Sequence, residues 1–181
     1  NTIPAVTFLD DNGKKTIIDI IAGTLSDTSA PAPPPDSWTS DVENSVGIFK
    51  LKIESGGTFV LPAIKGQARR TIYFYHGNEL ILEGKRINEY HAVEVRPEND
   101  ATLHNDGSDE IKLLILQGEP MKEPVVQHGP FVMNSLEEIQ ETFEDFRKTQ
   151  FGGWPWPKPG QVHDREKGRF AKHADGTEEI Q

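Results

Sequence analysis

The chain has 181 residues, 35% of them hydrophobic, and a formal net charge of −10. That acidity excludes a broad binder of phosphate backbones, which needs a basic surface to displace counterions, and it suits anionic membranes poorly. Cysteine is absent, which removes disulfides, thiolate catalysis and cysteine metal sites from consideration.

There is no run of about twenty apolar residues that would span a membrane. Asn1-Thr2-Ile3-Pro4-Ala5 lacks the basic start and apolar stretch of a signal peptide. Together with the missing cysteines, this predicts a cytoplasmic protein. A start without Met, just ahead of a strand, is what a fragment or a processed product would show.

Two apolar runs, residues 5–9 and 16–22, flank Asp10-Asp11-Asn12-Gly13. Asn-Gly between such runs predicts a hairpin with a type I′ turn, because that pair accepts positive φ. Pro31, Pro33, Pro34 and Pro35 make residues 28–36 a stiff, extended surface loop. From residue 46 to 117, short apolar runs alternate with turn residues. Strands are predicted at 46–53, 58–61, 71–75, 79–83, 89–95, 101–104 and 111–116. Ser55-Gly56-Gly57 turns the first of these into the second, and His76-Gly77-Asn78 reads as the turn of a further hairpin. Strands this short and this regularly spaced describe a small sandwich or barrel.

Ser135-Leu136-Glu137-Glu138 has the order of a capping box, a hydroxyl followed three residues later by Glu. Leu136, Ile139, Phe143 and Phe146 then form one apolar helical stripe. A helix over 136–148 is predicted, with its stripe packed on the barrel or on a neighbouring domain. Gly152, Gly153, Pro155 and Pro157 predict an irregular tail whose aromatics are pinned to a surface.

The run Glu123-Pro124-Val125-Val126-Gln127-His128-Gly129-Pro130-Phe131-Val132-Met133-Asn134, followed by an acidic helix ending in Asp145-Phe146-Arg147, resembles the closing signature of the pirin family. Phe151-Gly152-Gly153-Trp154-Pro155-Trp156-Pro157 and the stretch from Val162 to Ala171 resemble one subgroup of that family. Residues 18–23 sit where the family enters its second cupin barrel, so the resemblance covers the chain from the interdomain region onward. It implies a mainly β fold: a cupin-type jelly-roll barrel or sandwich over 1–134, a packing helix over 135–150 and an irregular Pro/Gly/Trp tail over 151–181. It also implies a bicupin parent with two stacked barrels. The N-terminal barrel of that parent would hold iron or another divalent metal through histidines and a glutamate. Some members are quercetin dioxygenases, and others act as partners of transcription or metabolic proteins.

A cupin metal site takes two histidines one residue apart, a glutamate a few residues on, and a third histidine on a later strand. Alternation turns the first two imidazoles to one inner face, and such a set suits a redox iron. The family interval counted back from Gly77 puts the glutamate at Arg70 and the first histidines among Ala63, Ile64, Lys65 and Gly66. Counting forward from Pro97 puts the last near Thr102. None of these is a ligand of the required kind, two are cationic, and no His-x-His occurs anywhere. This domain is therefore expected to carry no cofactor.

Tyr73, Tyr75, His91 and His104, on predicted strands, are the candidates for lining a barrel cavity; for the histidines the alternative is a hydrogen-bonded core or surface role. His76 reads as an exposed turn residue, and His163 and His173 as solvated tail residues. His128, Phe131 and Met133 in the family run, with Trp154 and Trp156 between prolines, are candidates for an interdomain or partner interface. No nucleophile elbow is present, and Gly56-Gly57 lacks the setting of a phosphate cradle. Arg165, Lys167, Arg169 and Lys172 are interrupted by Asp164 and Glu166, which does not make a nucleic-acid arm. No catalytic residue is assigned. The leading expectation is a metal-free second cupin that supports a metal-binding N-terminal cupin. Next come a part of a metal-dependent dioxygenase acting on a flavonol-like substrate, and a protein-interaction module regulating transcription or metabolism.

Overall fold

Alternating apolar and polar side chains want one face buried and one wet, and they form paired strands in the computed structural model, which describes residues 2–160 and 162–180. Strand β1 (Ala5–Leu9) pairs antiparallel with β2 (Lys15–Ala22), Ala5 opposite Asp19. The turn between them is not the expected type I′, because Gly13 alone in the loop has positive φ, 75°. Asp10 organises it instead: its Oδ1 accepts from the amides of Asn12 and Lys14, each at 2.9 Å. A carboxylate that satisfies two loop amides replaces the second left-handed residue.

A two-residue pair, β3 (Thr24–Leu25) and β4 (Thr28–Ser29), precedes the proline-rich loop. Two short 3-10 turns, Trp38–Ser40 and Val42–Asn44, lead into β5 (Gly47–Ile53). There Gly47, Phe49, Leu51 and Ile53 are buried and the residues between them are not. The next strands are β6 (Thr58–Leu61), β7 (Arg69–His76), β8 (Leu80–Leu82) and β9 (Lys85–Ile87). They are followed by β10 (His91–Val95), β11 (Ala101–Asn105) and β12 (Ile111–Gly118).

Six strands form one sheet in the order β1-β2-β5-β12-β7-β10, and four form a second in the order β6-β11-β8-β9. Successive strands such as β5 and β6 lie in different sheets, the crossing pattern of a jelly roll. This corrects the hairpin expected at His76-Gly77-Asn78, because β7 and β8 belong to different sheets. The hairpin is β8–β9, whose turn residues Glu83 and Gly84 have φ of 48° and 75°. Both central residues left-handed is the type I′ requirement.

The space between the sheets is filled by Ile18, Ile20, Phe49, Leu51, Ile72 and Phe74 from the large sheet and by Phe59, Leu61, Leu80 and Leu103 from the small one. Each such side chain contributes about 1.5–3 kcal/mol on burial. At one end, buried Asn105 on β11 donates from Nδ2 to the carbonyl of Ile53 on β5, at 2.9 Å, and to that of Asp109, at 2.8 Å. At the same end, Asp10 Oδ2 accepts from the amide of Thr58 on β6, at 2.9 Å. Both contacts tie the large sheet to the small one.

Residues up to Met121 form one compact unit and residues from Lys122 another. The second holds β13 (Val126–His128), β14 (Phe131–Met133), α1 (Leu136–Thr149), β15 (Phe170–Lys172) and β16 (Glu178–Ile180). The capping box is formed: Ser135 Oγ accepts from Glu138 N at 3.2 Å, and Glu138 Oε2 accepts from Ser135 N at 2.9 Å. The helix stripe meets the β13–β14 hairpin of its own unit, with the rings of Phe143 and Phe131 at 4.8 Å. The tail is not irregular throughout. After Pro157 it forms the β15–β16 hairpin, with Lys167 paired to Glu178 and stacked over Phe170. The breakers that predicted irregularity are confined to residues 152–160.

The Asp10 carboxyl is held below its ordinary range by the amide of Lys14 first, and then by those of Thr58 and Asn12. A depressed folded-state pKa adds stability that is present above the unfolded-state pKa, about 3.9, and lost as pH falls through the folded one. Asp10→Ala should therefore lower the melting temperature at about pH 7, and the gap from the parent should close towards about pH 3. Thermal unfolding followed by circular dichroism across that range checks this; a gap independent of pH would contradict it.

Candidate functional site

Alternation along β7 turns Arg70, Ile72 and Phe74 inward, and Arg70 is only 1% exposed. A guanidinium taken out of water must have its donors satisfied. Arg70 Nε donates to Gln117 Oε1 at 3.0 Å, and Nη1 donates to the carbonyl of Pro62 at 2.9 Å. Gln117 is held in turn, its Nε2 donating to the carbonyl of Ser45 at 3.2 Å. Pro62 follows β6, so Arg70 reaches from the large sheet to the small one, at the end opposite Asn105. Burial pushes its pKa down and the nearby Asp100 carboxylate pulls it back up. Starting from so high a value, the side chain stays charged.

The residues at this place do not fit a cupin metal. Ala63, Ile64, Lys65 and Gly66 lie in the loop between β6 and β7, where Ile64 N donates to the carbonyl of Pro97 at 2.8 Å. Thr102 is exposed on β11 while its neighbours Ala101 and Leu103 are buried, so the interval counted from Pro97 lands one residue off the inward face. Where a carboxylate would be required, a buried guanidinium repels a cation. Among the described residues, no group of three or more His, Cys, Asp or Glu is placed to hold a metal ion.

Of the four residues expected to line a cavity, Tyr73, Tyr75 and His104 lie off the core face, whereas His91, opposite inward-facing Phe74, shares the face of Val93 and Val95 but lies outside the buried core. Tyr73 and Tyr75 alternate with buried Ile72 and Phe74, and Tyr73 is 38% exposed. His91 is exposed, its Nδ1 3.1 Å from the carbonyl of Glu89. His104 is half-buried on the outer face of β11, its Nδ1 2.9 Å from Thr58 Oγ1 and its Nε2 3.6 Å from Asp106. The interface candidates divide. His128 and Phe131 share an aromatic cluster with Phe143, at 5.7 and 4.8 Å, and Phe131 is 6.0 Å from Phe151. Met133 ends the same hairpin. Trp154 donates from Nε1 to the carbonyl of Lys158 at 2.9 Å, and Trp156 has Lys172 Nζ 5.7 Å from its ring.

One surface feature has little trace in the sequence. A crevice of about 290 Å³ opens between β8–β9 and β10, over Leu82, Ile87, Val93, Val95 and Ala101. Its only signal was Glu83-Gly84, a turn pair that went unnoticed because Lys85 and Arg86 do not look like a strand.

The family model for the pirin C-terminal cupin domain matches residues 48–152, more than half of the chain. The chain belongs to the pirin family. The matched stretch runs from β5 through α1, so this pirin signature takes in both compact units. Mouse pirin is 38% identical over 105 residues, 56% of this chain and 36% of its own. A Pseudomonas aeruginosa protein with the provisional name quercetin 2,3-dioxygenase is 30% identical over 153 residues, 82% of this chain and 47% of its own. A solved structure of quercetin 2,3-dioxygenase from Acinetobacter baumannii superposes with a TM-score of 0.66 at 24% identity. It covers 83% of this chain and 48% of its own, and it shows the shared fold alone. The chain spans less than half the length of these curated relatives.

Arg70→Ala removes both bridges and leaves the Pro62 carbonyl and Gln117 without their donor. It should cost about 3 kcal/mol of unfolding free energy. Arg70→Met, which keeps most of the volume, should cost about 1 kcal/mol. Urea unfolding measures both, and coincident midpoints for Arg70→Ala and the parent would refute the bridging role.

Proposed function

We propose that this pirin domain is the non-catalytic second cupin of a bicupin protein, and that it carries no metal of its own. Buried Arg70, hydrogen-bonded to Gln117 and Pro62 where a cupin glutamate would sit, is the observation that carries this reading. Its work is to pack against and support a metal-binding N-terminal cupin. The surface proposed for that purpose consists of His128, Phe131 and Met133 with Trp154 and Trp156. Large aromatics on a rigid hairpin and between prolines give anchoring area at little entropic cost.

For the whole protein we propose a cytoplasmic, metal-dependent dioxygenase acting on a flavonol-like substrate, with iron or another divalent metal in the first cupin. The support is the name carried by the Pseudomonas relative. In such an enzyme this domain supplies packing surface and no ligand.

The chain is incubated with ferrous iron and separately with manganese, desalted, and its metal is counted by mass spectrometry. Well below one metal per chain is expected. A stoichiometric metal that survives desalting would overturn the reading.

A further inference from the structure

The sandwich ends on one side with β10 at the edge of the large sheet and β9 at the edge of the small one, and the crevice lies between these two edges. Its floor is aliphatic. Leu82 and Ala101 belong to the core, and Ile87, Val93 and Val95 pack against it half-buried. Its rim is charged, with Glu83, Asp100, Lys85 and Arg96 all lining the opening.

The two carboxylates are already committed. Glu83 Oε1 accepts from the amide of Thr102, and Asp100 Oδ1 accepts from the amide of Ala63. The two cations are not: among the described residues neither Lys85 nor Arg96 is in an ion pair within 4.0 Å. A third cation, Arg70, lies beside the crevice, as the register partner of the floor residue Val95. The lining is charge-balanced, two cations against two carboxylates, but with both carboxylates hydrogen-bonded to backbone amides it is the cations that still have donors to offer, in a chain whose net charge is −10. An unpaired cation beside an apolar floor strengthens a charge-assisted hydrogen bond to an anion.

We infer that this crevice binds a small amphipathic monocarboxylate, with its apolar body on the aliphatic floor and its carboxylate at Lys85 and Arg96. The volume of about 290 Å³ lies at the small end of ligand pockets and excludes large polycyclic bodies. A dianion would face the rim carboxylates, and a neutral apolar molecule would leave the cations unused. The inference goes beyond the supporting role proposed above, and it holds whether or not the first cupin is catalytic.

Octanoate and octanol are the probes, titrated calorimetrically into the full 181-residue chain, with amide chemical shifts followed by NMR. Octanoate should bind with one-to-one stoichiometry, about tenfold or more tighter than octanol, and shift the amides of Val93, Val95 and Ala101. The double variant Lys85→Gln with Arg96→Gln, both on exposed side chains, should remove that advantage and leave octanol binding unchanged. Three outcomes would overturn the inference: octanoate binding no tighter than octanol, binding that survives the double variant, or no saturable binding below about 10 mM. Shifts confined to another surface would overturn it as well.

Discussion

Among the described residues the two sheets share no ladder hydrogen bonds, since every strand pair in the sandwich lies within one sheet or the other. Apolar burial holds them together, but burial is non-directional and would tolerate sliding. What fixes one sheet over the other is a polar side chain reaching across at each end. Arg70 hangs from β7 and takes the Pro62 carbonyl beyond β6, while Asn105 hangs from β11 and takes the Ile53 carbonyl on β5. Asp10 adds a third tie from the β1–β2 loop to Thr58. Each is directional, and each loses heavily if its partner moves.

The same constraint decides the chemistry. A guanidinium that already fills the interior end of β7 and spans the sheets cannot share that space with a metal ion. Function and architecture therefore draw on one side chain. The domain's open surfaces are left at its edges, in the crevice beside β10, and on the aromatic face of the second unit.

Much of this was legible in the sequence. The long strands β2, β5 and β12 alternate cleanly enough to be read, and α1 began where Ser135 and Glu138 said it would. Arg70 was identified as the residue in the glutamate's place. Its bridging role was not, since it depends on Gln117 and on a backbone carbonyl that only the fold brings near. The false hairpin at Gly77 has a physical cause. That glycine is required both by its φ of 118° and because a Cβ there would come within 2.6 Å of Ile111 Cγ2, and in one dimension these demands look the same as a hairpin turn. The three-residue strands β9, β13, β14, β15 and β16 are too short to show any period. Thr102 shows how little slack alternation allows, since an error of one residue exchanges inside for outside.

The second unit is built on different terms from the first. Ile139 is its single buried hydrophobic side chain among the described residues, whereas the sandwich buries a continuous core. Its rings lie against one another near solvent, with Phe146 38% and Phe151 55% exposed. Free energy of local opening follows buried apolar area, so the two units form separate tiers of cooperativity. Amide protons of α1 should exchange by sub-global opening, long before those of β5 and β12, which are released only when the whole sandwich unfolds. The closing run at residues 123–134 thus sits on the softer tier.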